Sequence, residues 1–355
     1  MESNSLDYEE VRKGLEELVK GRNILPQKVQ LNPQGACNQN CCFCSYRNAG
    51  FEEEGMDYFK LTWFKDGVQK IVEGESGLSE RVSREICEDI NSLGIGETEI
   101  TGGGEPMIHP HIYTIFDILN QGKSKISLVT NGTRLRTVVP YITNRWGWIR
   151  LSINAGTRDI YRTVHQNDSF DQVISSIAEV REQTEVPMYV SFCVVPENAG
   201  EIVEATKLMK RLGTNGIKFN AVYTLSKDGR FSDREAEMVK QSILEAKKEE
   251  TGDFKVMDSF WKRDRFTEEQ KFDHCWFQYF MVNIGYDGRV FPCCITTMRE
   301  SYAYGDLNLM RLPDILVSEE RRSKELGYNY TKCPTCWLSE HNRKMSKVVN
   351  GMCNL

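Results

Sequence analysis

Residues 35–46 read GACNQNCCFCSY and place four cysteines within eight positions. Cys37, Cys41 and Cys44 follow a C-x3-C-x2-C spacing, which Cys42 interrupts. A disulfide staple, a zinc knuckle and an iron–sulfur ligand set can all be built from such thiols. The three regularly spaced ones lie on one short loop, close enough for one metal centre. Three thiolates satisfy three irons of a [4Fe–4S] cube and leave the fourth open to a substrate or cofactor, whereas a fully ligated cube mostly stores or passes an electron. Structural zinc normally takes four ligands, often as two C-x2-C pairs, and Cys41/Cys44 make only one such pair.

Bulk properties narrow the choice. A chain of 355 residues can bury a sizeable core without covalent staples, so its twelve cysteines lose the usual motive for disulfides. The N-terminus, MESNSLDYEEVRKGLEELVKG, has no apolar signal core, and no apolar run reaches the roughly 18 residues of a membrane span. A cytoplasmic location is expected, where thiols stay reduced and clustered cysteines bind metal or do chemistry. The net charge of −6 leaves no basic footprint for broad nucleic-acid binding. The short basic runs at 207–211 and 321–324 read as solvated helix faces.

Elements must position the thiols. After a polar amphipathic helix near 6–21, apolar strands are expected at 28–33, 97–101, 126–130, 149–154, 188–195 and 216–222. Helical stretches fall near 80–93, 111–121, 134–144, 169–184 and 198–212. This alternation implies parallel strands with helical crossovers, a barrel or partial barrel whose function sits at the C-terminal strand ends. The cysteine loop, Gly102-Gly103-Gly104-Glu105-Pro106, Thr130-Asn131-Gly132-Thr133 and Ser152-Ile153-Asn154 fall at four consecutive strand ends. A charged helix (232–250) then leads to two apolar strands around Asp287-Gly288, a dipeptide suited to a tight hairpin turn. The organisation expected is an N-terminal helix at 1–27, a barrel at 28–225, a linking helix at 226–254 and a cysteine-bearing domain at 255–355. Residues 46–80, acidic and with six aromatics, read as a packed flap beside the barrel mouth.

The cysteine loop with Phe43 before its last cysteine, followed one strand later by Gly103-Gly104-Glu105-Pro106, resembles the signature of the radical S-adenosylmethionine (SAM) superfamily. The resemblance implies an α/β partial (β/α)6 TIM-like barrel. It also implies a [4Fe–4S] cluster on Cys37, Cys41 and Cys44, with the open iron bound to SAM. Reduction would yield a 5′-deoxyadenosyl radical that abstracts hydrogen from an inert carbon. Phe43 would sit near the adenine, with Cys42 a bystander. Gly103 and Gly104 would let backbone approach the methionine amino group, and Glu105 would accept a hydrogen bond from it. Thr130, Asn131, Ser152 and Asn154 would meet the ribose and the carboxylate, and Arg162 would pair with that carboxylate.

Cys275, Gly288 and Cys293, spaced C-x12-G-x4-C and followed by Cys333 and Cys336, resemble the SPASM/twitch extension of one radical-SAM subgroup. By that resemblance they form a small α+β domain with an auxiliary [4Fe–4S] cluster; zinc is the rival occupant. The further cysteines of the full SPASM pattern are missing after Cys336, so the shorter twitch form fits better. Cys294 and Cys353 are spare and are candidate hydrogen donors. Cys87 and Cys193 read as core residues. His109 and His111 read as helix-capping, while His165, His274 and His341 carry no pattern.

The function these features imply is a two-electron oxidation of a small molecule, served by a reducing protein such as flavodoxin or ferredoxin. The 36 residues before Cys37 are fewer than a peptide-recognition domain needs, which lowers peptide crosslinking or epimerisation to the alternative. A reading of another class is a non-catalytic module holding clusters or zinc.

Overall fold

The computed structural model describes residues 7–44, 62–65, 68–71, 76–222, 231–265, 272, 274–297, 299–328, 336 and 338–353. Its strands are β1 (Lys28–Leu31), β2 (Thr62–Lys65), β3 (Val68–Ile71), β4 (Glu97–Ile100), β5 (Lys125–Thr130) and β6 (Trp146–Ser152). They continue with β7 (Met188–Val194), β8 (Gly216–Ala221), β9 (Lys255–Ser259), β10 (Met281–Ile284), β11 (Arg289–Phe291) and β12 (Gly305–Asp306). The helices are α1 (Tyr8–Val19), α2 (Glu80–Leu93), α3 (Ile112–Asn120), α4 (Arg158–His165) and α5 (Phe170–Gln183). They continue with α6 (Ile202–Arg211), α7 (Asp233–Ala246), α8 (Leu312–Val317), α9 (Glu319–Gly327) and α10 (Ser339–Cys353).

Ten strands form one sheet in the order β12-β11-β10-β1-β4-β5-β6-β7-β8-β9. The six strands expected from the sequence lie side by side in chain order, all parallel. β9 and β10 add one parallel strand at each flank. The boundary expected at 255 therefore falls inside the sheet. β9 (KVMDS) is a short polar edge strand with no apolar run to announce it, and β10 ties the cysteine-bearing hairpin to β1 through Met281–Ile284. Within the hairpin only Gly288 takes a positive φ, +84°, so the turn is closed by the glycine and not by the Asp-Gly pair together. The helix expected at 134–144 is a 3-10 segment, Leu135–Tyr141, because Pro140 has no N–H to give an α-helical turn. Most of the flap expected at 46–80 lies outside the described residues; its β2 and β3 form an antiparallel pair.

The sheet has two unlike faces. Ile149, Leu151, Val190, Phe192, Ile217 and Phe219 are fully buried in one core beneath the helices. The residues between them, among them Arg150, Ser152, Ser191, Cys193 and Lys218, are half-buried on the inner face. On β1 and β4 the inner positions are polar: buried Lys28 and Gln30 face buried Glu99 and half-buried Glu97, with Lys28 Nζ 2.6 Å from Glu99 Oε2 and 3.3 Å from Glu97 Oε1. Closed parallel barrels fill this space with branched apolar side chains. Here it is polar.

A second core gathers Val11 and Leu15 of α1, Phe277, Phe280 and Met281, and Leu338, Met345 and Val349 at the C-terminal end. The run at 321–324, read as a solvated face, is partly buried. Arg321 is 4% exposed, donates to Glu325 Oε1 (2.7 Å) and the Leu316 carbonyl (2.7 Å), and lies over the Tyr304 ring.

The first barrel helix and the C-terminal part of the chain are pinned together at Asp89 of α2. It accepts from Arg311 Nε (3.0 Å) and Nη2 (2.7 Å), and from the buried Leu312 N–H (3.1 Å) at the start of α8. Asp89→Ala is expected to cost about 1–3 kcal/mol, the usual loss when a buried donor loses its acceptor. The check is the urea midpoint, which should fall at unchanged m; an unmoved midpoint would refute the clamp.

Candidate functional site

A cavity of about 330 Å3 opens at the C-terminal ends of the strands. Its wall takes Cys37, Cys41, Phe43 and Cys44 from the loop after β1 and Thr101–Glu105 from the turn after β4. Thr130 and Asn131 join from β5, Ser152 and Asn154 from β6, and Cys193 from β7. The four strand-end motifs thus meet around one space. Arg162 does not join them: it is exposed on α4, close enough to Asp168 to help hold that carboxyl low, behind the Arg158 pair that does most of this.

The three residues inside the C-x3-C spacing hold the loop in place. Asn38 donates to Thr133 Oγ1 (2.9 Å) and accepts from Asn131 Nδ2 (2.8 Å). Gln39 donates to Tyr161 Oη (2.7 Å) and Asn40 to Gln166 Oε1 (2.5 Å). Backbone bonds from Asn40 N to the His165 carbonyl (3.1 Å) and from Cys42 N to the Val164 carbonyl (2.9 Å) use acceptors that the last turn of α4 leaves unsatisfied. Cys42 packs against the main core, as its bystander role requires.

Glu105 is 2% exposed and accepts from Thr130 Oγ1 (2.6 Å), Asn131 N (2.7 Å) and Met107 N (3.0 Å). Burial raises its pKa against the pull of those bonds. Its side chain, and that of Thr130, are thus engaged with the protein itself. Asn131 is likewise committed: its Oδ1 takes Thr133 N and Oγ1, while its Nδ2 reaches Asn38 and lies 4.0 Å from Cys37 Sγ. Gly104 packs so tightly that a Cβ would fall 1.9 Å from the Ala36 carbonyl oxygen. The turn and the cysteine loop touch backbone to backbone there.

His165 is the residue that pattern reading missed. It is buried, and its Nε2 accepts the Asn154 N–H (3.1 Å), which leaves the proton on Nδ1. Nδ1 donates to Gln39 Oε1 (3.0 Å) and lies 3.3 Å from Cys41 Sγ. Burial holds its pKa down to about 3, so the ring is neutral. Tyr161 stacks on it at 4.2 Å, with its own pKa pushed up to about 12, mainly by burial, and Phe43 meets it edge-on. Nothing local marks His165; its role appears only when α4 folds back on the loop. Cys193, read as core, borders the cavity, while Cys87 is fully buried as expected. His111 occupies the N-cap of α3 without a side-chain cap bond, so the capping expected of it is not made; His109 instead accepts the His111 N–H at Nδ1 (3.2 Å) and donates from Nε2 to the Leu78 carbonyl oxygen (2.8 Å).

A second thiol site forms on the smaller core, against which Cys275, Cys293 and Cys336 all pack. Asn342 Nδ2 lies 3.6 Å from Cys275 Sγ and its Oδ1 takes Phe277 N (2.9 Å); Leu338 N lies 3.3 Å from Cys336 Sγ. Three residues after Cys275, Gln278 is 1% exposed and accepts from Tyr304 Oη (3.3 Å), but its Nε2 has no acceptor among the described residues. Burial raises the pKa of the Cys294 thiol, which also has Cys293 and, on the barrel, Glu99 and Lys28 within electrostatic reach. Cys333 lies outside the described residues, and of Cys353 only its place at the end of α10 is described.

The donor sets fit iron–sulfur clusters. Cys37, Cys41 and Cys44 all line one cavity, as ligands that share a single group would. At the second site the orphaned Gln278 amide supplies a donor of the kind that inorganic sulfides accept from.

Residues 31–209 match the family model of the radical SAM superfamily, and residues 275–337 match SPASM, an iron–sulfur cluster-binding domain. The chain is 29% identical over 184 residues to a probable GTP 3',8-cyclase of Saccharolobus solfataricus, covering 51% of this chain and 52% of that protein. It is 26% identical over 199 residues to one of Metallosphaera sedula, covering 56% and 55%. It thus spans about half the length of the curated relatives it matches. SuiB of Streptococcus suis bound to the precursor peptide SuiA shares the fold with a TM-score of 0.62 at 14% identity, over 90% of this chain and 72% of that one. Native anSMEcpe with bound AdoMet does so at 0.60 and 14%, over 91% and 99%. The chain belongs to the radical SAM superfamily, with a SPASM domain and with SAM and iron–sulfur clusters as its cofactors.

Proposed function

We propose that this protein is an oxidoreductase that removes two electrons and the accompanying hydrogen from a small polar molecule held on the inner face of the barrel. The observation that carries the reading is the polar inner face itself. It runs from Ser152 and Cys193 at the cavity down to Lys28 and Glu99, where Cys294 adjoins it from the second thiol site.

Cys37, Cys41 and Cys44 would hold the first cluster, and Cys275, Cys293, Cys333 and Cys336 the auxiliary one. With SAM, the reduced first cluster supplies a 5′-deoxyadenosyl radical able to take hydrogen from an unactivated carbon. The chain's own residues do the positioning. Phe43 offers a flat ring to the adenine, while Gly103 and Gly104 bring backbone to the methionine end. Ser152 offers a hydroxyl at the cavity wall. Glu105, Thr130, Asn131 and Asn154 act by fixing the strand ends, since their side chains bond mainly to the protein. The first electron would leave the substrate with the abstracted hydrogen atom and the second would pass to the auxiliary site as a proton is lost, while a small reducing protein such as flavodoxin or ferredoxin would supply the separate electron that reduces the first cluster.

A second reading is a nucleotide substrate, supported by the relatives named as probable GTP 3',8-cyclases, whose matched stretch covers half of this chain. Anaerobically reconstituted, reduced protein should form 5′-deoxyadenosine from SAM, with stimulation by the small-molecule fraction of a host extract. Stimulation by GTP alone would favour the second reading, and by the peptide fraction a peptide-modifying one. No SAM cleavage by protein with verified clusters would overturn all three. Cys41→Ala should reduce cleavage to background, whereas Cys336→Ala should lose only the auxiliary iron; unchanged iron in the latter would refute the two-site assignment.

Gly104→Ala gives a separate check. Its Cβ cannot be placed without pushing the turn off Ala36. SAM binding, measured by equilibrium dialysis, should weaken about tenfold or more, equivalent to about 1.4 kcal/mol. Wild-type affinity in this variant would show that the backbone contact does not shape the SAM site.

A further inference from the structure

The inner wall formed by β6, β7 and β8 is chemically one-sided. Arg150 pairs in register with Tyr189, and Ser191 with Lys218, so these four share one patch of the inner face just below the cavity. All four are half-buried, as is Asn220, which donates to Ser191 Oγ (3.0 Å). Among the described residues the inner-face positions from β6 to β9 carry no carboxylate; their charged members are the half-buried Arg150 and Lys218 and, exposed at the start of β9, Lys255.

Arg150 is aimed without being saturated. One Nη2 lies 3.4 Å from Glu99 Oε1, while the other oxygen of Glu99 is already met by Lys28 at 2.6 Å. The guanidinium lies 5.2 Å from the centre of the Trp148 ring, which gives it a flat shelf. A guanidinium has five N–H donors in a planar fork, and one long contact leaves the fork available to two oxygens of a single group. Arg150 stands two residues before Ser152 on β6, so on the alternating strand it shares the inner face with that cavity-lining hydroxyl.

We propose that the β6–β8 wall binds an oxyanion of the substrate, a carboxylate or a phosphate, through Arg150 and Lys218 with the Ser191 hydroxyl as a third donor. This rests on the reading of the inner face as the substrate site and adds the class of group it takes. Holding that anion on the wall fixes which carbon of the substrate faces the cavity.

The test is ligand-observed NMR on the anaerobic, reconstituted holoprotein with SAM, using pyrophosphate and succinate as separate probes. At least one should bind the wild type saturably. Arg150→Gln and Lys218→Gln should each weaken it about tenfold or more, with partial rescue in Arg150→Lys. Saturation by pyrophosphate alone assigns a phosphate, and by succinate alone a carboxylate. Arg136→Gln, on the outer surface beside Glu179, should change nothing. Neither probe binding the wild type, or equal binding by the Arg150 and Lys218 variants, overturns the inference. SAM affinity and 5′-deoxyadenosine formation by the wild type are measured in the same preparations. If these hold while the anion dependence fails, only this inference falls; if SAM is not cleaved, the proposed function falls first.

Discussion

One buried carboxylate organises the upper end of this barrel. A charge as enclosed as Glu105 is costly unless its lone pairs are met, and here they are met by the end of β5 and by the turn that carries it. Two of the donors are backbone N–H groups, so the bond fixes the path of the chain and not merely a rotamer. From Asn131 the constraint passes to Asn38 and Thr133, and so into the cysteine loop. Three loops that share no secondary structure are thereby held at fixed separation. A cluster with one open corner needs that rigidity, because ligands on a slack loop could close around the fourth iron. Gly104 completes the arrangement by letting the turn meet Ala36 with no side chain between them.

The same economy of contacts governs the sheet. Its helix-covered face carries the stabilising apolar burial, in a core reaching from Val29 on β1 to Val256 on β9. That leaves the inner face free to be polar. The buried Lys28–Glu99 pair there gains little net stability, since both charges had to be dehydrated. Its structural effect is to cancel charge where β1 and β4 close over the space, leaving Arg150 as a partly exposed cation beside it. Stability and recognition are thus assigned to opposite faces of the same strands, by nothing more than the alternation of side chains along each strand.

The periodic features were readable in the sequence because they are local. Strand–helix alternation gave the six parallel strands, and cysteine spacing with the Gly103–Pro106 motif located the cavity. Features that depend on tertiary contact were not readable. His165 looks like any helical histidine until α4 packs on the cysteine loop. Cys193 alternates onto the inner face by one residue, a distinction an apolar run such as MYVSFCVV hides. Arg321 sits in a basic run and is buried because Tyr304 and Glu325 enclose it. Arg162 shows the reverse error, a cation near the right motif whose helix turns it to solvent.

The linkage between the two thiol sites follows from the sheet. β10 is hydrogen-bonded to β1, the strand that leads into the first cysteine loop, so the ligand-bearing segments on either side of that pair cannot move independently without breaking the ladder. Cys293 and Cys294 then divide the space between them. Cys293 packs on the second core, while its neighbour's thiol is near Glu99 and Lys28 on the barrel's inner face. One step along the backbone thus separates a thiol packed on the second core from one within electrostatic reach of the barrel's inner charges. That adjacency distinguishes this arrangement from a scaffold that merely stores two clusters, which would have no reason to gather residues from β5, β6, β7 and β8 around a cavity beside the first three thiols.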